Sequence, residues 1–203
     1  MTSEQPTRRS EALTRLAQPA VLLLVMWGVH LLDAILPGSF TGLGLRSWDL
    51  SSVGGLVIGP LLHSSWSHLI SNSVPLLVLG GLAALDGVKR FWTVTAIIAL
   101  VSGVGTWFVN APGTLTVGAS GLVFGYFGYL LARAFVAPSR GRGILYAIIA
   151  VAVALSYGGA MLTGVFGAPA GISWQAHLFG AIGGTVAAWT LRPERHRRPV
   201  EGR

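Results

Sequence analysis

The chemistry this sequence could perform rests on a few polar residues set in apolar surroundings, where such groups are costly and mark a functional site by default. Ser120 stands in VGASGLVFG, between glycines at the start of a long apolar run. A lone serine in such a run most often only bonds a nearby carbonyl, whereas beside a base its hydroxyl is a nucleophile. The stretch WQAHLFGAIGG supplies His177, and HSSWSHLISNSVP supplies His63, His68 and Asn72. His68 and Asn72 are four apart and share one helix face. Both can donate hydrogen bonds, which suits stabilising a developing oxyanion. His63 lies about 140° around an ideal helix from His68. It therefore sits at or above the helix entry, either donating to the oxyanion itself or organising water and the entry. Ser64 or Ser65 is placed to cap that entry, and Pro75, further inside, to kink the helix.

The elements that carry these residues follow from composition. The chain of 203 residues is 52% hydrophobic and only 10% charged, with mean hydropathy +0.66. A soluble domain carries about 25% charged residues, so the composition belongs to a membrane protein. Its formal charge of +7 flanks apolar runs instead of forming a stripe, which argues against a nucleic-acid partner. There is no cysteine, which excludes disulfides, thiolate metal sites and cysteine nucleophiles. Helical spans need about 20 apolar residues, and six segments qualify: roughly 17–36, 61–85, 91–110, 118–136, 143–164 and 174–192. These runs are too long for barrel strands and lack period-two alternation. The expected fold is therefore an all-α polytopic bundle of six transmembrane helices over 17–192. A cytoplasmic tail precedes it at 1–16, and a basic tail follows at 193–203. The first segment is long for a signal sequence and no A-x-A-like cleavage site follows it, so it reads as a retained span.

Orientation follows from the basic residues. With both termini inside, every one of the 14 except Arg46 falls on the cytoplasmic side. The connection between the first two spans, PGSFTGLGLRSWDLSSVGGLVIGP, is too apolar for a solvated linker. It is expected in the outer interface, with Arg46 and Trp48 as anchors. His30 and Asp33, three apart, read as an interfacial polar pair, and His196 as a solvated residue of the tail. Depth links the candidates. Ser120 lies roughly 20 Å above Arg133, His177 roughly 22 Å above Arg192 and Asn72 roughly 21 Å above Asp86. Stripes of small residues at Gly121, Gly125, Gly128 and Ala132, and at Gly180, Gly184 and Ala188, would let the fourth and sixth spans approach closely. That approach brings Ser120 within reach of His177.

These residues resemble the rhomboid family of intramembrane serine proteases. Its GxSG pattern is matched by Gly118, Ala119, Ser120 and Gly121, and its AHxxGxxxG setting by Ala176, His177, Gly180 and Gly184. The H-x4-H-x3-N pattern is matched by His63, His68 and Asn72. The resemblance covers roughly residues 17–192. It implies a Ser–His dyad, with Ser120 as nucleophile and His177 as general base, and an oxyanion hole of His68, Asn72 and the Ser120 N–H. Phe124 stands where family members often carry a tyrosine that packs on the histidine, so it can stack but offers no hydroxyl. No acidic residue precedes His177 in its helix, so a triad is not supported. The resemblance further implies single-span transmembrane protein substrates met within membrane lipid. No cofactor is required, and a bacterial plasma membrane is the expected location.

Other classes fit less well. A metalloprotease would want a carboxylate-bearing ligand set such as HExxH, and no glutamate lies between Glu11 and Glu194. A zinc ion on His63, His68 and His177 is geometrically conceivable but leaves Ser120 unexplained. A channel or transporter needs a polar path through both leaflets, and here the polar groups stop midway. A soluble hydrolase elbow GxSxG fails at Leu122. The nearest rival is a rhomboid-like pseudoprotease that binds membrane helices without cleavage. Such proteins usually lack the serine or the histidine, and this chain has both.

Overall fold

The computed structural model describes residues 8–169 and 171–192; His196 and the whole basic tail at 193–203 lie outside them. Long apolar runs become long helices. These are α1 (Arg8–Ile35), α3 (Trp66–Ala84), α4 (Val88–Val109), α5 (Ser120–Arg133), α6 (Arg140–Phe166) and α7 (Trp174–Thr190), with a one-turn helix α2 (Gly55–Ile58) between the first two. Each long helix overlaps one of the six segments marked in the sequence. α1 begins before residue 17, because its polar first turns are themselves good helix formers and carry an Arg15–Glu11 pair one turn apart. Serine side chains start three of the helices. Ser65, Ser139 and Ser173 accept from the backbone N–H groups of His68, Arg142 and Ala176.

α5 is the centre of the bundle. Nearly all its side chains are buried, and α3, α4, α6 and α7 surround it. α7 packs most extensively on α5 and then on α4, while α1 leans on α3. α6 is peripheral: among its side chains only Val153 and Met161 are buried, and Leu155 is 83% exposed. Among the described residues, four helices are long and apolar enough to cross a membrane, namely Arg9–Ile35, Trp66–Ala84, Val88–Val109 and Arg140–Phe166. α5 and α7 are shorter, at 14 and 17 residues, or about 21 and 25 Å. α5 need not match the bilayer itself, because other helices cover it.

The connection between α1 and α3 folds back on the bundle. Leu45–Arg46 (β1) pairs antiparallel with Leu115–Thr116 (β2), the segment just before α5, with Leu45 opposite Thr116. Apolar composition alone did not reveal this pairing, since two-residue strands leave no periodicity. Trp48 stays half-exposed, packs on Trp107 with ring centroids 5.4 Å apart, and donates to the Asn110 carbonyl. Hydrogen bonds from the Ser51 hydroxyl and then its N–H hold the Asp49 carboxyl below its ordinary range. His30 and Asp33 do not pair as expected. Asp33 accepts from Phe40 N–H at 2.5 Å, whereas His30 is buried edge-on against Trp66 with centroids 4.4 Å apart. One turn of helix set them on neighbouring positions, but the chain returning from α1 gave each a different partner.

Candidate active site

The β1–β2 pairing puts the α1–α3 connection against the α4–α5 connection, at the end of the bundle where α3, α5 and α7 begin and α6 ends. A cavity of about 420 Å³ opens there, lined among others by His68, Asn72, Ser120, Phe124, Tyr157 and His177. The structure thus gathers the sequence candidates from three helices around one void, apart from His63 and Gly121.

Ser120 is the first residue of α5. The first N–H groups of a helix have no intrahelical partner, and no described residue takes the N–H of Ser120. Two contacts fix the peptides before it: Gly118 N–H donates to the Gly59 carbonyl at 2.9 Å, and Ala119 N–H donates to His63 Nε2 at 3.4 Å. His63 is buried and does not line the cavity. Its one printed hydrogen bond is to the peptide just before Ser120, at the start of α5. Gly118 has φ +114°, and a Cβ there would press into the His68 ring. Only glycine satisfies both the backbone conformation and the close approach of that ring.

His68 and Asn72 lie one turn apart on α3. Asn72 Nδ2 donates to the His68 carbonyl at 3.1 Å, which uses one of its two N–H bonds. Ser64 Oγ lies 3.2 Å from His68 Nδ1.

His177 is held from two sides. Its ring stacks on Phe124, with centroids 3.9 Å apart and planes 9° from parallel. Its Nδ1 lies 2.8 Å from the Gly164 carbonyl at the end of α6. A carbonyl oxygen only accepts, so Nδ1 carries the proton and, in the neutral ring, Nε2 keeps its lone pair. The group that orients the His177 ring is therefore a backbone carbonyl on α6. No side-chain motif could have revealed it. Gly164 must also be small, since a Cβ there would come within 3.1 Å of His177 Nδ1 and 2.5 Å of the Phe124 ring. Tyr157 also lines the cavity; its hydroxyl-bearing ring in a span with few polar groups was the available signal.

α5 and α7 meet through their glycines. A Cβ on Gly180 would overlap the Gly121 carbonyl, and one on Gly184 the Gly125 carbonyl. Gly121 itself packs beside Ser102, whose hydroxyl donates to the Ala176 carbonyl at 2.9 Å and ties α4 to the start of α7. Close backbone contact sets the depth at which His177 faces Ser120. No hydrogen bond joins Ser120 Oγ to His177 in this structure; catalytic hydrogen bonds often tighten only when substrate binds. Among the described residues no group of three His, Cys, Asp or Glu is placed to hold a metal ion. The three histidines of the zinc alternative instead face a backbone N–H, a serine and a carbonyl.

The Rhomboid domain family matches residues 50–194, which takes in every candidate residue above and leaves α1 outside. Uncharacterized proteins of Mycobacterium tuberculosis and Mycobacterium leprae are each 38% identical to this chain. They align over 87% and 88% of it, and over 75% and 72% of their own lengths. A Bacillus subtilis protein named "Putative rhomboid protease YdcA" is 29% identical over 70% of this chain and 69% of its own.

Proposed function

From the premise that the chain belongs to the rhomboid family, we propose that it is an intramembrane serine endopeptidase working through a Ser120–His177 dyad. The observation that carries this reading is the setting of His177. Stacked on Phe124 and bonded through Nδ1 to Gly164, it presents an unprotonated Nε2 to the cavity that Ser120 also lines.

The reaction follows from those positions. His177 Nε2 takes the Ser120 hydroxyl proton as Oγ bonds to the scissile carbonyl carbon. The negative oxygen of the tetrahedral intermediate meets the free Ser120 N–H, the remaining Asn72 N–H and His68 Nε2–H. His68 can donate there when Ser64 gives its hydroxyl proton to Nδ1. The positive end of the α5 dipole points at the same place. His177 then protonates the leaving amine as the C–N bond breaks. A water, deprotonated by the same nitrogen, releases the acyl group and restores Ser120.

In this reading all six long helices span the membrane, with both termini in the cytoplasm and the cavity open to the other side. Two features support that arrangement. The helices alternate in direction, and the basic residues gather at the end opposite Ser120. Substrates are single-span membrane proteins whose helix unwinds at the cavity, and the peripheral helix α6, with the loop after it, is the side at which they enter. The mycobacterial relatives favour a bacterial plasma membrane.

The test is cleavage of a single-span substrate by purified wild type, Ser120→Ala and His177→Ala. Loss of the nucleophile abolishes cleavage, and loss of the base slows it by about 10²–10⁴-fold. Equal cleavage by all three would refute the dyad. No cleavage by any of them, across several substrates, would favour a helix-binding pseudoprotease.

A further inference from the structure

The opposite end of the bundle holds a second cavity, of about 430 Å³, that the proposed reaction does not use. The starts of α1, α4 and α6 and the ends of α3, α5 and α7 frame it. Its charged lining consists of Arg15, Arg90, Arg133, Arg142 and Arg192 against a single carboxylate, Asp86. Asp86 is already engaged. It forms an ion pair with Arg133 and accepts from Tyr129 at 2.5 Å and from Tyr146 at 3.3 Å.

The other guanidiniums have little to balance them. Arg90 donates to the Leu191 carbonyl. Arg15 donates to the Leu85 carbonyl at 3.2 Å and pairs loosely with Glu11, which lies outside the lining. Among the described residues Arg142 and Arg192 have no acidic partner. Several like charges around one void raise its potential and attract a counter-ion. Arginine is the side chain best shaped to bind phosphate, through paired N–H donors.

The remaining wall is apolar, including Val136, Leu145, Ile149 and Leu191. Beside it Ile144 and Ile148 of α6 face outward, 64% and 62% exposed. A ligand that fits is therefore anionic at one end and hydrocarbon at the other. The volume falls within the roughly 300–1,000 Å³ of small-ligand sites, and basic pockets between membrane helices bind phosphate-bearing lipid headgroups.

We propose that this cavity binds the phosphate of an anionic phospholipid, with Arg142 and Arg192 on its oxygens and its first methylenes against Leu145 and Ile149. The site does not depend on the protease reading.

The test is lipid retention by the full chain, measured by native mass spectrometry after titration with phosphatidylglycerol. Parallel titrations use phosphatidylcholine, inorganic phosphate and glycerol 3-phosphate. Wild type retains phosphatidylglycerol in preference to phosphatidylcholine. The variant carrying Arg142→Gln and Arg192→Gln binds it about tenfold or more weakly. Both side chains are exposed, so these changes leave the fold in place. Arg140→Gln, which removes a charge from an exposed residue outside the lining, leaves retention unchanged. Three results would overturn the proposal: equal retention of the two lipids, an equal loss in Arg140→Gln, or phosphate or glycerol 3-phosphate binding as tightly as the lipid.

Discussion

In the proposed reaction Asn72 is both a structural side chain and a donor to the substrate. One N–H of its amide closes a bond to the His68 carbonyl, and the other remains for a ligand in the cavity. Removing one preorganised oxyanion donor costs about 10²–10³-fold in kcat. Asn72→Ala should therefore lower kcat by that order while KM changes little, because the donor acts on charge that exists only in the transition state. Steady-state kinetics on a single-span substrate decides it, and an unchanged kcat would remove Asn72 from the oxyanion site. His63 has the opposite character. Its type and spacing marked it as a candidate, yet it faces the Ala119 peptide in the loop that leads to Ser120.

At the scale of elements, the contact between α5 and α7 governs how Ser120 and His177 stand relative to one another at the cavity. Glycines facing backbone leave no room for side chains: a Cβ on Gly184 would overlap the Gly125 carbonyl and press on Tyr129 N. Overpacking a fitted contact costs about 1–3 kcal/mol, so Gly184→Ala should lower the melting temperature. It should also reduce cleavage beyond the loss of folded protein, since the helices must part to admit the methyl. Thermal denaturation in detergent, with activity measured well below the transition, separates the two effects. Normal stability and activity would show that the contact is slack. α6 contrasts with this pair. It is held at its base by the Arg133–Asp86 cluster, where Arg133 stacks on Tyr146 with its guanidinium 3.8 Å from the ring centre. Near its far end it supplies the Gly164 carbonyl to His177, so movement of this helix would reach the His177 ring directly.

For the whole molecule, the two ends of the bundle differ in chemistry. One end carries the serine, the histidines and the β1–β2 pairing, and the other the arginine-lined cavity. Basic residues stay on the cytoplasmic side, so this polarity predicts orientation. The chain has no cysteine, which makes single-cysteine labelling unambiguous. Ala111→Cys, between α4 and β2, should react with a membrane-impermeant maleimide on intact cells. Arg140→Cys, at the start of α6, should react only after permeabilisation. The reverse pattern would invert the topology and place the cavity on the cytoplasmic side.

The six long helices, their boundaries to within a few residues at most ends, and a set of polar candidates were legible in the sequence; the one-turn α2 was not. Bilayer length and helical rise turn apolar runs into elements, and buried polar groups stand out against them. The glycine stripes could be read for the same reason, since a four-residue spacing places them on one face. Other features depended on tertiary structure. The β1–β2 pairing, the separate partners of His30 and Asp33, the turn of His63 toward Ala119 and the Gly164 carbonyl on His177 all arise between different elements or across the connections that join them. Most of them use backbone groups, which every residue carries and which leave no mark on residue type. Only packing decides which of them face one another.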